Sequence, residues 1–125
     1  MDDVVSLGGA RTAFGTYGGA LRDVPVVDFT VVAAKAAIER AGIAPIDVDA
    51  TIFGNVLYTS ADSIYFSRHV ALKSGCRTEA PALTVNRLCG SGFQAVVNGA
   101  QDILLGDARV CLVGGETHRS APRPE

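Results

Sequence analysis

The sequence predicts an α/β fold, a mostly parallel sheet covered by helices, and three observations carry that prediction. Short apolar, often β-branched runs alternate along the 125 residues with stretches whose apolar positions recur at i, i+3 and i+4. Glycines stand where the helical stretches should stop, at Gly42, Gly75 and Gly106. A strand also hands over to a helix at a single cysteine, Cys89. The resulting order of strand, helix, strand, helix, strand, helix, strand implies right-handed crossovers and a sheet buried on both faces.

Val4 to Gly9 starts with apolar residues and ends in Gly8-Gly9, which suits a first buried strand closed by a turn. Gly15 to Gly19 is glycine-rich, but no G-x-G-x-x-G opens a helix there and no Gly-Lys-Ser/Thr occurs, so a surface loop is expected rather than a phosphate cradle. Asp28 is placed to cap a helix running to Ala41, with Phe29, Val32, Ala33, Ala36 and Ala37 as its inward stripe and Gly42 as its left-handed stop. Pro45 breaks the chain. Thr51-Ile52-Phe53 and Val56-Leu57 then offer a second strand around Gly54.

From Thr59 to Ser74 the pattern is ambiguous. Asp62 or Ser63 could cap a helix ended by Gly75, yet Ile64, Tyr65, Phe66 and Val70 make no clean face, as burial on two sides, against another subunit for instance, would explain. Ala82 to Val85 is a third strand. Beyond Cys89, the residues Phe93, Val96, Val97, Ala100, Ile103 and Leu104 fall on one face of a helix that Gly106 ends. Val110 to Val113 is the fourth strand, closed by Gly114-Gly115. Arg119 to Glu125, with two prolines, reads as the start of a loop.

Composition narrows the function classes. A 48% apolar content with net charge −2 describes one globular domain. Eleven Lys and Arg are scattered singly among thirteen Asp and Glu, whereas phosphate-backbone binding needs clustered cations, so nucleic acid is not an expected partner. Met1-Asp2-Asp3 is acidic where a signal peptide is basic, and no apolar run nears membrane-spanning length, which makes the cytoplasm the expected location and a membrane an unexpected partner. Cys76, Cys89 and Cys111 are odd in number and spaced unlike metal-binding pairs, so reduced thiols and no metal site are expected.

Cys76 and Cys111 read as small buried hydrophobes. Cys89 differs in its surroundings, Asn86-Arg87-Leu88-Cys89-Gly90-Ser91-Gly92-Phe93-Gln94-Ala95. Its sulfur lies near a helix start, where unpaired N–H groups and aligned peptide dipoles favour an anion, and thiolate is the reactive form of cysteine. Gly90 and Gly92 leave the backbone free to bend and a substrate free to approach. The logic is that of the serine elbow of other α/β enzymes, although the bare pattern leaves Cys89 open between nucleophile and buried filler.

Val85-Asn86-Arg87-Leu88-Cys89-Gly90-Ser91-Gly92 resembles the acyl-enzyme signature of the thiolases. The resemblance extends along the chain through Arg11-Thr12-Ala13-Phe14-Gly15, Gly18-Gly19-Ala20-Leu21, Gly54-Asn55-Val56-Leu57, Gly114-Gly115-Glu116-Thr117 and Ala121-Pro122. Where many thiolases carry Asn-Pro-Ala-Arg, this chain has Ile64-Tyr65-Phe66-Ser67-Arg68, and its Asp62-x-x-Tyr65-x-x-Arg68 wording is similar to a subset of bacterial β-ketothiolases. Leu88-Cys89-Gly90-Ser91-Gly92 fits thiolases better than the related ketoacyl synthases.

The resemblance implies that residues 1–125 form an incomplete, N-terminal thiolase-like domain, with the family's loop region and C-terminal domain outside it. It implies an acyl-CoA C-acyltransferase in which Cys89 carries the acyl group as a thioester between 3-oxoacyl-CoA or acetyl-CoA and coenzyme A. Coenzyme A is then a co-substrate, no cofactor is held permanently, and a homodimer or homotetramer is expected. The Cys89 N–H would donate to the thioester oxyanion, a contribution of about 3 to 4 kcal/mol. The family's activating histidine and second cysteine belong to its C-terminal half, and neither His69 nor His118 replaces them. His118 stands after Glu116-Thr117, where thiolases usually show Glu-Ser-Met, and reads with Glu116 as structural. Much of the family's grip on coenzyme A comes from its later loop region, and the 125 residues alone are expected to be inactive. The alternative is a non-catalytic thiolase-like binding or assembly module.

Overall fold

The organising strand is Ala50–Gly54 (β1), a five-residue run, apolar but for Thr51, in which every position is buried. The structure is a computed structural model, and it describes residues 3–14, 19–21 and 23–116. In it β1 pairs on one side with Ala82–Val85 (β2) and on the other with Cys111–Gly115 (β3), both parallel. The order is therefore β2-β1-β3. Register sets Gly54 opposite both Val85 and Gly115, so all three strands end together.

Strand alternation divides the helices between the two faces of this sheet. Thr51, Phe53, Leu112 and Gly114 point to one face, where Phe53 and Leu112 join a buried cluster with Val27, Val31 and Ile38 of helix Val26–Ala41 (α1) and Phe66 and Val70 of helix Phe66–Lys73 (α2). Phe53 and Phe66 meet edge to face, with ring centroids 6.0 Å apart. The opposite face, formed by Ile52, Gly54, Val113 and Gly115, carries helix Ser91–Leu104 (α3). Three layers result, with the sheet in the middle.

Asp49 ties β3 to the start of β1. Its Oδ2 accepts the N–H groups of Arg109 at 2.9 Å and Val110 at 3.0 Å, while its own N–H donates to the Val110 carbonyl. Those two backbone donors, ahead of the Arg77 guanidinium at 3.1 Å, hold the Asp49 carboxyl below its usual range.

The structure corrects several expectations. Four strands were expected, and among the described residues there are three, because Val4 to Gly9 pairs with nothing. That segment lies instead over the C-terminal end of α1, where the Arg40 guanidinium donates to the Gly9 carbonyl at 3.0 Å. This segment, α1, α3 and β3 together line a cavity of about 1100 Å³. β1 stops at Gly54 rather than running on through Val56-Leu57, since both neighbours stop there too.

α1 begins at Val26, placing Asp28 in its first turn rather than at its cap, where it meets Lys73 Nζ at 3.1 Å. Its buried residues are Val26, Val27, Thr30, Val31, Ala34 and Ile38. Of the expected stripe, Val32 is exposed and Phe29, Ala33, Ala36 and Ala37 are only half-buried. Gly42, at φ 72°, is the left-handed stop as expected. α2 does have a clean inner face, Phe66, Ser67, Val70 and Ala71, because Ile64 and Tyr65 precede it in a 3-10 turn, Ser63–Tyr65.

The largest correction concerns α3. Its buried residues are Ser91, Ala95 and Gly99, whereas Phe93, Val96, Val97 and Leu104 of the expected inner face are exposed, Phe93 to 83%. Close approach explains the choice. A Cβ on Gly99 would lie 2.6 Å from Val113 Cγ1, so only small residues fit between this helix and the sheet.

Candidate active site

The five residues from Asn86 to Gly90 join β2 to α3 and sit at the C-terminal end of the parallel strands, where ligands of open α/β sheets bind. They are folded by their own polar groups. Asn86 Oδ1 accepts the Leu88 N–H at 3.0 Å, an Asx turn, and the Gly90 N–H donates to the Arg87 carbonyl at 3.1 Å. Leu88 takes φ 51°, a left-handed conformation that is uncommon for a bulky residue. Gly90 has φ −90°, and Gly92 lies within the helix, so the special backbone angle of the turn belongs to Leu88 and not to either glycine.

Ser91, the first residue of α3, closes the turn. Its hydroxyl accepts the Arg87 N–H at 2.8 Å and donates to the Leu88 carbonyl at 2.7 Å. Gly54 and Gly115, at the ends of β1 and β3, seat this first helical turn. A Cβ on Gly54 would lie 2.6 Å from Ser91, and one on Gly115 would lie 2.9 Å from the Gly92 Cα. The sequence reading missed these contacts; a glycine at the end of each of two parallel strands was their only signal.

The outcome is an exposed thiol. Cys89 is exposed, Cys76 is buried and Cys111 is half-buried. Burial pushes the Cys76 thiol up, and burial aided by Asp102 and Asp49 pushes Cys111 up to about 11, with its Sγ turned to the Gly99 carbonyl at 3.6 Å. The first turn of α3 holds no carboxylate to oppose an anion at its positive end. Arg87 lies along the same turn, its guanidinium donating to Gln94 Oε1 at 2.9 Å.

The other sequence candidates are placed elsewhere or not at all. His69 Nδ1 is 3.1 Å from Asp62 Oδ2, and its ring packs beside Tyr65. The Ser60 hydroxyl, first among several donors, lowers the Asp62 carboxyl. The Glu116 N–H donates to the Gly54 carbonyl at 3.2 Å, beside the seat of α3. His118 lies outside the described residues, as do Thr117, Ala121 and Pro122 and most of the Gly15 to Gly19 loop. Among the described residues no group of His, Cys, Asp and Glu is arranged to hold a metal ion, and no helix is long and apolar enough to cross a membrane.

Comparison with known proteins agrees with this arrangement. The chain is 52% identical over 113 residues to the mitochondrial 3-ketoacyl-CoA thiolase of Homo sapiens, covering 90% of this chain and 28% of that protein. It is 46% identical over 121 residues to β-ketothiolase BktB of Cupriavidus necator, covering 96% and 31%. The crystal structure of the human mitochondrial enzyme in complex with CoA superimposes with a TM-score of 0.89 at 50% identity, covering 91% of this chain and 29% of that one. The Bacillus anthracis acetyl-CoA acetyltransferase gives 0.88 at 32% identity, covering 94% and 30%. The chain thus spans less than a third of the length of these relatives. Since residues 4–123 match the family model described as the thiolase N-terminal domain, the chain belongs to the thiolases and has their parallel-sheet α/β fold, of which it is a part.

Proposed function

We propose that this chain is the N-terminal domain of an acyl-CoA C-acyltransferase in which Cys89 is the nucleophile. The observation that carries the reading is that the thiol on the strand-to-helix turn is exposed, while the other two are drawn inward. In the cleaving direction the Cys89 thiolate attacks the C3 carbonyl carbon of a 3-oxoacyl-CoA. The bond between C2 and C3 breaks, its electron pair stays on C2, and a proton delivered there releases acetyl-CoA. The acyl group remains on Cys89 as a thioester until the thiol of coenzyme A displaces it, giving acyl-CoA and free Cys89. Run backwards, the same steps condense two acyl-CoA molecules.

This chain supplies the nucleophile and its seat. The proton donor and acceptor, each worth about 10²- to 10⁴-fold, are assigned on this reading to the C-terminal half of the family pattern. A dimer or tetramer belongs to the same proposal, supported by the edge of β2, which pairs with no further strand among the described residues. The test is mass spectrometry of the intact gene product after brief exposure to acetoacetyl-CoA. An acetyl mass on the peptide holding Cys89, lost in Cys89→Ser together with thiolysis, is the expected result. No acyl mass on Cys89 in a correctly folded protein overturns the reading in favour of a non-catalytic module.

A further inference from the structure

We infer that the Ser91 hydroxyl is a positioning residue for Cys89, holding Leu88 in its left-handed conformation so that the thiol is presented at the mouth of the turn. The inference rests on the proposed nucleophilic role of Cys89 and adds to it the device that aims the sulfur. Leu88 at φ 51° is disfavoured by sterics, and a bulky residue stays there only when surrounding bonds over-determine it. Asn86 Oδ1 accepts the Leu88 N–H, and a single further atom clamps the residue on both sides. Ser91 Oγ takes the Arg87 N–H at 2.8 Å on one side of Leu88 and gives its proton to the Leu88 carbonyl at 2.7 Å on the other. Cys89 and Gly90 lie between those anchor points and the helix.

The hydroxyl is itself held. Ser91 is buried to 5% exposure, and Gly54 of β1 packs so closely against it that a Cβ there would sit 2.6 Å from its backbone and from its own Cβ. The Ser91 N–H donates to the Leu88 carbonyl at 3.1 Å, so that carbonyl is gripped twice. Sheet, hydroxyl, strained residue and thiol thus form one chain of contacts. Ser91 touches none of the reacting atoms; it acts through Leu88.

The experiment compares the wild-type gene product with Ser91→Ala, Leu88→Gly and the double variant, reading Cys89 acylation by acetoacetyl-CoA, KM and amide hydrogen exchange at Arg87. Ser91→Ala is expected to slow acylation about 10- to 100-fold with KM unchanged, and to speed Arg87 exchange about 10-fold or more. Glycine adopts positive φ without strain, so Leu88→Gly in the Ser91→Ala background should restore much of the rate while leaving Arg87 exchange fast. Wild-type acylation in Ser91→Ala, or a lost rate that Leu88→Gly does not restore, overturns the inference. If even the wild type takes no acyl group, the proposed function fails, and Arg87 exchange still judges the hydroxyl: unchanged protection in Ser91→Ala overturns its role.

Discussion

Three thiols in one small chain differ in what surrounds them, and that difference should be visible in their reactivity. Cys111, with its thiol raised to about 11, is thiolate to only about one part in a thousand at pH 8, and burial works the same way on Cys76. Limiting iodoacetamide should therefore label Cys89 first; mass spectrometry showing Cys76 or Cys111 ahead of it in folded protein would refute the assignment. The glycines make a second test at this scale. A Cβ on Gly115 would crowd the Gly92 Cα at 2.9 Å, whereas one on Gly92 would meet the Gly115 Cα at an ordinary 3.9 Å. Gly115→Ala is thus expected to lower stability by about 1 to 3 kcal/mol while Gly92→Ala is near neutral, as thermal melts of both would show. The Cys89 turn was legible in the sequence as a strand, a cysteine and a helix. The residue that bears the backbone strain was not, because a left-handed leucine leaves no trace in composition.

At the scale of elements, Asp49 bonds β3 to β1 through two backbone N–H groups. Removing the carboxylate in Asp49→Ala gives those partly exposed donors over to water and should destabilise the protein by about 0.5 to 1.5 kcal/mol. The same carboxyl sets a pH dependence. Its folded pKa lies below the unfolded value, so its contribution is complete above about pH 4 and disappears as pH falls through the folded pKa. Acid titration of the wild type against Asp49→Asn should show this as a stability gap that closes below pH 4; a gap constant to pH 2 would contradict it. Periodicity located α1 and α3 well, yet it misjudged which way each faces. It finds where large apolar residues line up, and in α3 the sheet accepts the small residues Ser91, Ala95 and Gly99 because backbone approaches backbone there. Val4 to Gly9 misled for a different reason: its apolar run lies over the end of α1, where the Arg40 guanidinium donates to the Gly9 carbonyl, and not along a strand.

For the molecule as a whole, the outward set on α3 matters most. Phe93, Val96, Val97, Leu104 and Leu105 are all exposed along the length of α3, and Leu88 is exposed in the turn before it. Leaving about 400 Å² of such surface in water forgoes roughly 10 kcal/mol, as much as the net stability of a domain. Residues 1–125 expressed by themselves should accordingly aggregate or melt without a sharp transition, and show no thiolysis of acetoacetyl-CoA. A monomeric, cooperatively melting, active 125-residue protein would defeat both this expectation and the assignment of acid and base groups to other sequence.

The division of β1 between two faces also bears on how the protein can vary. Thr51 and Phe53 look toward α1 and α2, while Ile52 and Gly54 look toward α3 and the reactive turn, so the sheet acts as a partition between a store of packing and a working surface. Substitutions among Phe53, Phe66, Val70 and Leu112 can trade volume with one another behind that wall without moving Ser91 or Cys89. Mutational tolerance should therefore differ between neighbours in the chain, extending to volume-conserving apolar exchanges at Phe53 and close to nil one residue later at Gly54.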